Sequence, residues 1–242
     1  MKPKAVVITG ASSGLGLEMA RSISQDPALE VVTVQRRAAP LQKNNVHFYA
    51  CDLLDDEAIA QTTRAISERF QVVGLVNNAG SGGAKPAETV TWAEIDALNR
   101  LHVRASLLMM QGLLPNMKEH GFGRIVNIGS RAQLGKEGRT AYASSKAALL
   151  GATRTWALEL GQFGVTVNMV APGPINIGLF VQHTPPGSER SEKVKAMIPV
   201  RRIGEPEDVV HAVQYFLSPK SGYVTGQVMY VCGGMSVAAT AI

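Results

Sequence analysis

The 242-residue sequence has few cysteines, few aromatic residues and no long apolar run. Its two cysteines, Cys51 and Cys232, lie far apart in apolar segments and lack the spacing of metal ligands, so no metal site is expected. We expect two reduced thiols in a reducing compartment, and hence a cytoplasmic protein. No segment approaches the roughly 18 apolar residues of a membrane span, and the apolar run at residues 5–8 is too short for a signal peptide. We therefore expect no membrane partner.

Concentrated charge is also lacking. The formal net charge is +5, but the basic residues are scattered, and aromatic residues, at 5% of the chain, do not interleave with them in a stripe. A nucleic-acid partner is therefore not expected. A phosphate-bearing cofactor would use the same positive charge more locally.

What the sequence does contain is a regular alternation of strands and helices. Short apolar, β-branched runs predict seven strands, at residues 4–9, 31–35, 47–51, 72–76, 124–128, 165–170 and 228–231. Helical patterns lie between them, and the main ones cover residues 56–70, 91–120, 141–160 and 205–217. Because there is no linker and no internal repeat, we predict one α/β domain over residues 1–242, with a parallel sheet and helices on both faces.

Residues from about 178 to 200 show no clear strand and follow the sixth predicted strand. A long segment just past the carboxyl end of a strand is a candidate lid over a substrate. Its apolar side chains favour a moderately apolar substrate pocket.

A glycine-rich turn follows the first predicted strand with the spacing G-x-x-x-G-x-G. Between a strand and a helix, such a turn lets backbone amides approach a phosphate, and the helix N-terminus adds favourable partial charge. We predict that it binds the phosphates of a dinucleotide. The residues concerned are Gly10, Ser12, Ser13, Gly14, Leu15 and Gly16.

The second predicted strand ends in Gln35, Arg36 and Arg37, with no carboxylate. An acidic residue at this place would bind the 2′-hydroxyl of an adenosine ribose, whereas arginine suits a 2′-phosphate. The sequence therefore favours NADP(H), with NAD(H) as a second possibility. The alternative interpretation is a solvated basic loop.

Three residues in the middle of the chain suggest acid–base chemistry: Ser130, Tyr142 and Lys146. The spacing of four residues places Tyr142 and Lys146 on one face of a helix. An ammonium close to a phenol favours the phenolate, so we expect a lowered Tyr142 pKa. Ser130 ends an apolar strand, and its hydroxyl could orient a carbonyl oxygen.

Together and in this order, these motifs resemble a classical short-chain dehydrogenase/reductase, similar to the 3-oxoacyl-[acyl-carrier-protein] reductases of that family. The resemblance rests on Thr9-Gly10-x-x-x-Gly14-x-Gly16, Asn77-Asn78-Ala79-Gly80, Ser130 and Tyr142-x-x-x-Lys146, and it covers essentially the whole chain. It implies a Rossmann fold that binds NAD(P)(H) and moves a hydride between nicotinamide and a carbonyl or alcohol carbon.

The resemblance also implies residue roles. Tyr142 would be the general acid and base, Ser130 would hold the substrate oxygen, and Lys146 would lower the pKa of Tyr142 and bind the nicotinamide ribose. Tyr142 would also contact the cofactor. The implied cofactor contacts are Asp52 and Leu53 for the adenine, Asn78, Ala79 and Gly80 for the adenosine side, and Pro172, Gly173 and Ile175 for the nicotinamide. A homotetramer built through the long helices is a further expectation.

Two positions depart from the pattern of the family. The asparagine that usually fixes a relay water falls on His102, with Asn99 three residues earlier as a substitute. A histidine could itself relay protons at neutral pH, although an ordinary helix-face histidine fits as well. A threonine that often binds the nicotinamide amide is replaced by Ile177.

Several functions stay open at this point. The most favoured is an NADPH-dependent ketone or 3-oxoacyl thioester reductase; an NAD-dependent secondary-alcohol or sugar-alcohol dehydrogenase has the same layout. The turn also satisfies G-x-S-x-G, which would make Ser12 the nucleophile of a serine hydrolase with His183 or His211, but no sheet precedes that strand. A cofactor-binding sensor on the same fold is a third class.

Overall fold

The computed structural model describes residues 2–238, except for the side chain of Leu179. Its described residues form one seven-stranded sheet, in which every pairing is parallel. The strands are β1 (Lys4–Thr9), β2 (Glu30–Gln35), β3 (Val46–Ala50), β4 (Gln71–Asn77), β5 (Gly123–Ile128), β6 (Val165–Pro172) and β7 (Val228–Val231). All seven predicted strands are confirmed, with ends that differ by no more than two residues.

The strand order is β3-β2-β1-β4-β5-β6-β7. This is the order of a doubly wound Rossmann fold, whose direction reverses between β1 and β4. The inner strands are buried along nearly their whole length, as the patterns of β5 and β6 show. Such burial explains their near-continuous apolar runs, because helices cover both faces of a parallel sheet.

Two apolar layers flank the sheet. On one face lie α1 (Gly14–Ile23) and α8 (Pro206–Leu217), which share a core cluster with the strands. A second core cluster covers the other face of the sheet. The helices packed there are α2 (Asp56–Arg69), α4 (Ala105–Glu119) and α5 (Thr140–Leu160). The predicted fold class, an α/β doubly wound sheet with helices on both faces, is confirmed.

The predicted helix at residues 91–120 is continuous but irregular. It consists of α3 (Trp92–Asn99), a π-helical segment (Arg100–Arg104) and α4. A capping box at Thr91 and Glu94 fixes its start. π-Helical turns are rare and often lie at functional sites, and this one contains His102.

The candidate lid region is helical. It contains α6 (Gly178–His183) and α7 (Glu189–Met197), joined by a turn. Ser188 caps α7 by accepting a hydrogen bond from the backbone N–H of Ser191 at 3.2 Å. The segment follows β6 at the same edge of the sheet as the glycine-rich turn, because all strands run in parallel.

Within residues 2–238, no helix is long and apolar enough to cross a bilayer. The same residues contain no cluster of three or more potential metal ligands.

Candidate active site

The glycine-rich turn packs against the loop after β4 at backbone distance. Gly10 has a φ of +69°, and a Cβ there would lie 2.7 Å from the Cα of Ala79. A Cβ on Gly16 would lie 2.5 Å from Nδ2 of Asn78 and would collide with the carbonyl oxygen of Gly10. Only glycine fits at these two positions, because any side chain would push the turn away from β4.

The opposite side of the turn is open. Gly14 has a φ of +62°, and no atom lies within 4 Å of the place where its Cβ would be. Ser13 precedes α1, and its side chain makes no capping hydrogen bond. Ser12 and Leu15 are half-buried beside them. The start of α1 therefore lies beside open space at Gly14 and lacks a side-chain cap at Ser13, which suits an anion site.

A short polar seam holds the ends of β1 and β4 together. The hydroxyl of Thr9 accepts hydrogen bonds from the backbone N–H groups of Asn78 and Ala79, both at 3.0 Å. The Asn78 amide donates in return to the carbonyl oxygens of Thr9 at 2.9 Å and of Gly10 at 3.1 Å. This seam fixes the switch point of the sheet.

The end of β2 combines one buried and two exposed polar residues. Gln35 is buried, and its Oε1 accepts a hydrogen bond from the backbone N–H of Ala11 at 3.3 Å. Arg36 and Arg37 are exposed, and in the part of the chain that the structure describes neither forms an ion pair. Their charges are available to a ligand at the carboxyl edge.

Two residues after β3 have different settings. Asp52 is exposed, and its Oδ1 accepts a hydrogen bond from the backbone N–H of Leu54 at 3.0 Å. The Leu53 side chain is buried in the core, so it can only pack beneath residues that contact a cofactor.

The end of β6 is tightly packed. Gly173 donates its N–H to the carbonyl oxygen of Val231 at 2.9 Å, and a Cβ on Gly173 would lie 2.7 Å from the Cβ of Cys232. Pro172 and Ile175 are buried, and Ile177 packs against the apolar cluster of α1 and α8. Ile177 thus offers no hydroxyl where the family often has threonine.

Ser130 is held in a capping box at the start of a short 3₁₀ helix (Arg131–Leu134). Its Oγ accepts a hydrogen bond from the backbone N–H of Ala132 at 3.1 Å. Gln133 accepts from the Ser130 N–H at 3.4 Å and donates to the Tyr230 hydroxyl at 3.0 Å. Because Oγ is an acceptor in this bond, its proton is left for a neighbouring oxygen.

Lys146 is buried under the end of β5. Its Nζ donates to the carbonyl oxygen of Ile128 at 2.7 Å and lies 5.9 Å from the centroid of the Tyr142 ring. Burial lowers the pKa of Lys146 to about 8. The ammonium is therefore anchored to the strand and not to the phenol.

The expected direction of the Tyr142 pKa is wrong for this structure. Burial of the phenol raises the pKa above its usual value, and a hydrogen bond with Ser130 and the charge of Arg139 only partly oppose it. Lys146 is not among the causes of this shift, and its Nζ binds the carbonyl oxygen of Ile128 and not the phenol. Tyr142 is therefore protonated at neutral pH and is equipped to donate a proton.

The suggestion that His102 relays protons as an ionisable group is also contradicted. Burial, and next the charge of Lys146, lower the pKa of His102 to about 3. Its Nε2 accepts the backbone N–H of Ser81 at 3.2 Å, so the neutral ring carries its proton on Nδ1, which lies 2.9 Å from Oγ of Ser145. Ser145 in turn donates to the backbone carbonyl of Tyr142 at 2.9 Å. His102 thus joins the loop after β4 to the Tyr142 helix. Asn99 lies half-buried at the end of α3.

A buried polar chain lies under the site and was not predicted from the sequence. Asn77 on β4 donates to Asn127 on β5 at 2.8 Å, and Asn127 donates to the Thr153 hydroxyl on α5 at 2.9 Å. A single asparagine within the apolar strand at residues 123–128 was the available signal, because a buried amide needs partners. Arg139, beside Tyr142, was also missed and gave no signal in the sequence.

The fold and the open glycine turn together define a dinucleotide-binding protein of the Rossmann class. The structure passes a test of fit for that ligand, since backbone packs tightly behind Gly10 and Gly16 while the space over Gly14 is empty. The amides of α1 suit the phosphates, and the charges of Arg36 and Arg37 lie at the same edge.

Comparison with known proteins identifies the family. Residues 10–236 match the family model described as Enoyl-(Acyl carrier protein) reductase. The chain is 35% identical over 97% of both proteins to the (2S)-[(R)-hydroxy(phenyl)methyl]succinyl-CoA dehydrogenase subunit BbsD of Thauera aromatica. It is 31% identical to the 3-oxoacyl-[acyl-carrier-protein] reductase FabG of Buchnera aphidicola, over 97% of this chain and 98% of that protein.

A solved structure agrees. A putative NAD(P) dependent gluconate 5-dehydrogenase from Beutenbergia cavernae, with NADP bound, has a TM-score of 0.86 and 30% identity over 98% of both chains. This chain belongs to the short-chain dehydrogenase/reductase family. It is an NAD(P)(H)-dependent oxidoreductase that acts on a CH–OH group or the corresponding carbonyl, and the serine-hydrolase and sensor interpretations are set aside.

Proposed function

We propose that this protein is an NADPH-dependent reductase of a ketone or of a 3-oxoacyl thioester. The observation that carries the direction is the exposed pair Arg36 and Arg37 at the end of β2, which favours NADPH, a hydride donor. The pKa of Tyr142, which burial raises, agrees with that direction. Carbonyl reduction needs a protonated phenol, whereas alcohol oxidation needs a phenolate. A buried phenol whose pKa is raised serves the first reaction over a wide range around neutral pH.

In this proposal, Tyr142 donates its proton to the carbonyl oxygen of the substrate. Ser130, whose Oγ is fixed by the Ala132 N–H, donates a second hydrogen bond to that oxygen and orients it. Lys146 contributes a buried positive charge below the site and would bind the nicotinamide ribose. Preorganised donors of this kind stabilise the negative charge that develops on the oxygen.

The bound cofactor supplies the hydride, and the protein supplies orientation and the proton. The phosphates would lie on the turn that contains Ser12, Ser13, Gly14 and Leu15. Asp52 and Leu53 would flank the adenine, and Asn78 to Gly80 the adenosine side. Pro172, Gly173 and Ile175 would flank the nicotinamide, whose amide finds no hydroxyl at Ile177.

The preference for NADPH is supported by the end of β2. Arg36 and Arg37 are exposed there and have no ion pair in residues 2–238. Gln35 occupies the place of a carboxylate that would repel a 2′-phosphate. A charge-assisted hydrogen bond from arginine then selects the phosphorylated ribose.

The experiment is a fluorescence titration of the protein with NADPH and NADH in parallel. We expect tighter NADPH binding, and a loss of about 10- to 100-fold in that preference on Arg36→Gln. The matched control is Arg64→Gln on α2, an exposed arginine away from the site, which should keep the preference. Tighter NADH binding by the wild type would contradict the NADPH assignment, while reduction of a ketone panel with either cofactor tests the reaction separately.

A second candidate is an NAD-dependent secondary-alcohol or sugar-alcohol dehydrogenase. Likeness to the gluconate 5-dehydrogenase structure, which holds NADP, favours the dehydrogenase reaction of this candidate but not NAD as its cofactor. It predicts tighter NADH binding, and oxidation that increases with pH as the phenol of Tyr142 ionises.

Three further proposals concern the setting of the site. The α6–α7 segment is proposed as a lid, since it follows β6 and its Met197 is exposed. A homotetramer is proposed because Leu158 on α5 is 85% exposed, and a partner subunit would cover this large apolar side chain. A cytoplasmic location is proposed because both cysteines are free, buried thiols. Sedimentation analysis of the wild type beside Leu158→Gln tests the assembly.

A further inference from the structure

A cleft of about 410 Å³ lies between the loop after β4, α3 and the start of α5, and its lining ends at Ala141, the residue before Tyr142. Much of its wall is small or apolar and includes Gly82, Gly83, Ala97 and Leu98. Its volume lies within the range of small-ligand sites, roughly 300–1,000 Å³. The cleft therefore has room for a short branch of a substrate whose carbonyl lies at Tyr142.

Arg139 places a positive charge in this cleft. It is the residue just before α5, and its Nη1 donates to the carbonyl oxygen of Gly83 at 3.0 Å. A Cβ on Gly82 would lie 3.4 Å from that Nη1 and 3.9 Å from Cδ2 of Tyr142. The guanidinium and the phenol ring thus flank the same point, so a group bound to Arg139 lies only a few bonds from a carbonyl at Tyr142.

The charge of Arg139 has no acidic counterpart among residues 2–238. The other ions of the wall, Lys85 and Glu94, neutralise each other in a pair at 2.8 Å. Hydrogen bonds from Lys85, and to a smaller extent from Thr91, lower the pKa of Glu94 to about 2. The Glu94 carboxylate therefore stays ionised and paired with Lys85. Nη1 of Arg139 donates a hydrogen bond to the carbonyl oxygen of Gly83. The other N–H donors of the planar guanidinium remain for a ligand.

The segment that leads to Arg139 adds positive charge near the cleft. The loop at residues 131–139 contains Arg131 and Lys136 besides Arg139, against a single acidic residue, Glu137. Burial lowers the pKa of Lys136, and the charges of Arg139, Arg131 and Arg190 on α7 lower it further. Like charges close to one another attract anions to the entrance of a site.

The geometry points to an anion-binding subsite in this cleft, where Arg139 binds a carboxylate or phosphate that the substrate carries a few bonds from its reacting carbonyl. The inference rests on the proposed function and narrows its substrate class to anionic carbonyl compounds. Arginine suits this task because its planar fork matches carboxylate and phosphate oxygens in two parallel hydrogen bonds.

Two matched pairs of ketones test the subsite and separate the two anions. Levulinate is compared with methyl levulinate, and dihydroxyacetone phosphate with dihydroxyacetone, as kcat/KM of the NADPH-loaded enzyme at low salt. We expect the charged member to exceed the neutral one by about tenfold or more in at least one pair. The pair that responds tells whether the anion is a carboxylate or a phosphate.

The variants are judged by the ratio of kcat/KM between the charged and neutral members, which cancels any effect of Arg139 on the pKa of Tyr142. Arg139→Gln should lower this ratio by about 10- to 100-fold. Arg139→Lys should retain part of it, because the charge remains while the fork is lost. Arg64→Gln on α2 should leave it unchanged.

Other results would overturn the anion subsite or the proposed function, and the two failures can be told apart. A wild-type ratio near one in both pairs, or a ratio that survives Arg139→Gln, overturns the subsite and leaves the reductase function intact. If the protein reduces no carbonyl compound, the proposed function fails, and calorimetry with the NADP⁺-loaded protein decides the subsite. Binding of levulinate or dihydroxyacetone phosphate that is lost in Arg139→Gln supports it, and absence of binding by both overturns it.

Discussion

The two halves of the active-site edge are built in different ways. The cofactor half, residues 9–16 and 77–80, is joined by backbone packing and by the short hydrogen bonds between Thr9 and Asn78. The substrate half, residues 81–90, 131–139 and 178–200, consists of loops and short helices with exposed side chains, among them Leu134, Met197 and Val200. The cofactor half is defined by its backbone conformation and packing, and the substrate half is defined by its side chains.

The difference follows from what each half binds. A dinucleotide is held largely through its phosphates and ribose, which backbone amides and glycine turns can bind whatever the substrate is. A substrate is selected by shape and charge, which exposed side chains such as Arg139 supply. We therefore expect substitutions in the cofactor half to change cofactor affinity, and those in the substrate half to change turnover and selectivity.

The largest expected effect is at Tyr142, on α5 directly after the substrate half. Tyr142→Phe removes the proton donor while it keeps the buried ring, so kcat should fall by about 10²- to 10⁴-fold. NADPH affinity, measured by fluorescence titration, should change little because the cofactor half is untouched. A large loss of NADPH affinity in this variant would break the division between the halves.

A matched pair of glycine substitutions gives the next effect. Gly16→Ala places a Cβ against the Gly10 carbonyl and 2.5 Å from Asn78 Nδ2, so NADPH affinity should fall by about 100-fold. Gly82→Ala in the substrate half meets its nearest atom at 3.4 Å, an ordinary contact, and should keep that affinity. Gly151→Ala on α5 meets nothing within 4 Å and should be neutral or slightly stabilising, so it serves as the folding control. Equal losses for Gly16→Ala and Gly82→Ala would remove the contrast.

The smallest effect concerns His102, which joins Ser81 in the substrate half to Ser145 on α5. Its pKa is lowered to about 3 in the folded protein from 6.5, so the unfolded chain binds the extra proton first as the pH falls. Stability should therefore decrease below pH 6.5, by about 2 kcal/mol at pH 5 from this group. Urea unfolding of the wild type and His102→Gln between pH 7 and 5 measures it. His102→Gln should lose less stability over this range, and an equal loss in both would contradict the burial of a neutral imidazole.

Strand and helix positions were predictable because their signals are local. The apolar runs at β1, which is buried, and at β7, a half-buried edge strand, gave the strand limits without error, since strands of a parallel sheet covered by helices are apolar on both faces. The glycine spacing predicted a tight turn for the same reason, as Gly10 and Gly16 leave no room for a Cβ. The π-helical segment around His102 was not predictable, because its residues have an ordinary helical pattern.

By itself, the sequence determined the order of the elements, the parallel sheet, the glycine turn and the presence of Ser130, Tyr142 and Lys146, because each depends on neighbours along the chain. Only the tertiary structure decided how these groups are charged. Burial raises the pKa of Tyr142, the Ile128 carbonyl holds Lys146, and burial together with the charge of Lys146 keeps His102 neutral. Those effects depend on depth and on partners that are remote in sequence, and both arise only when the sheet and its helices pack together.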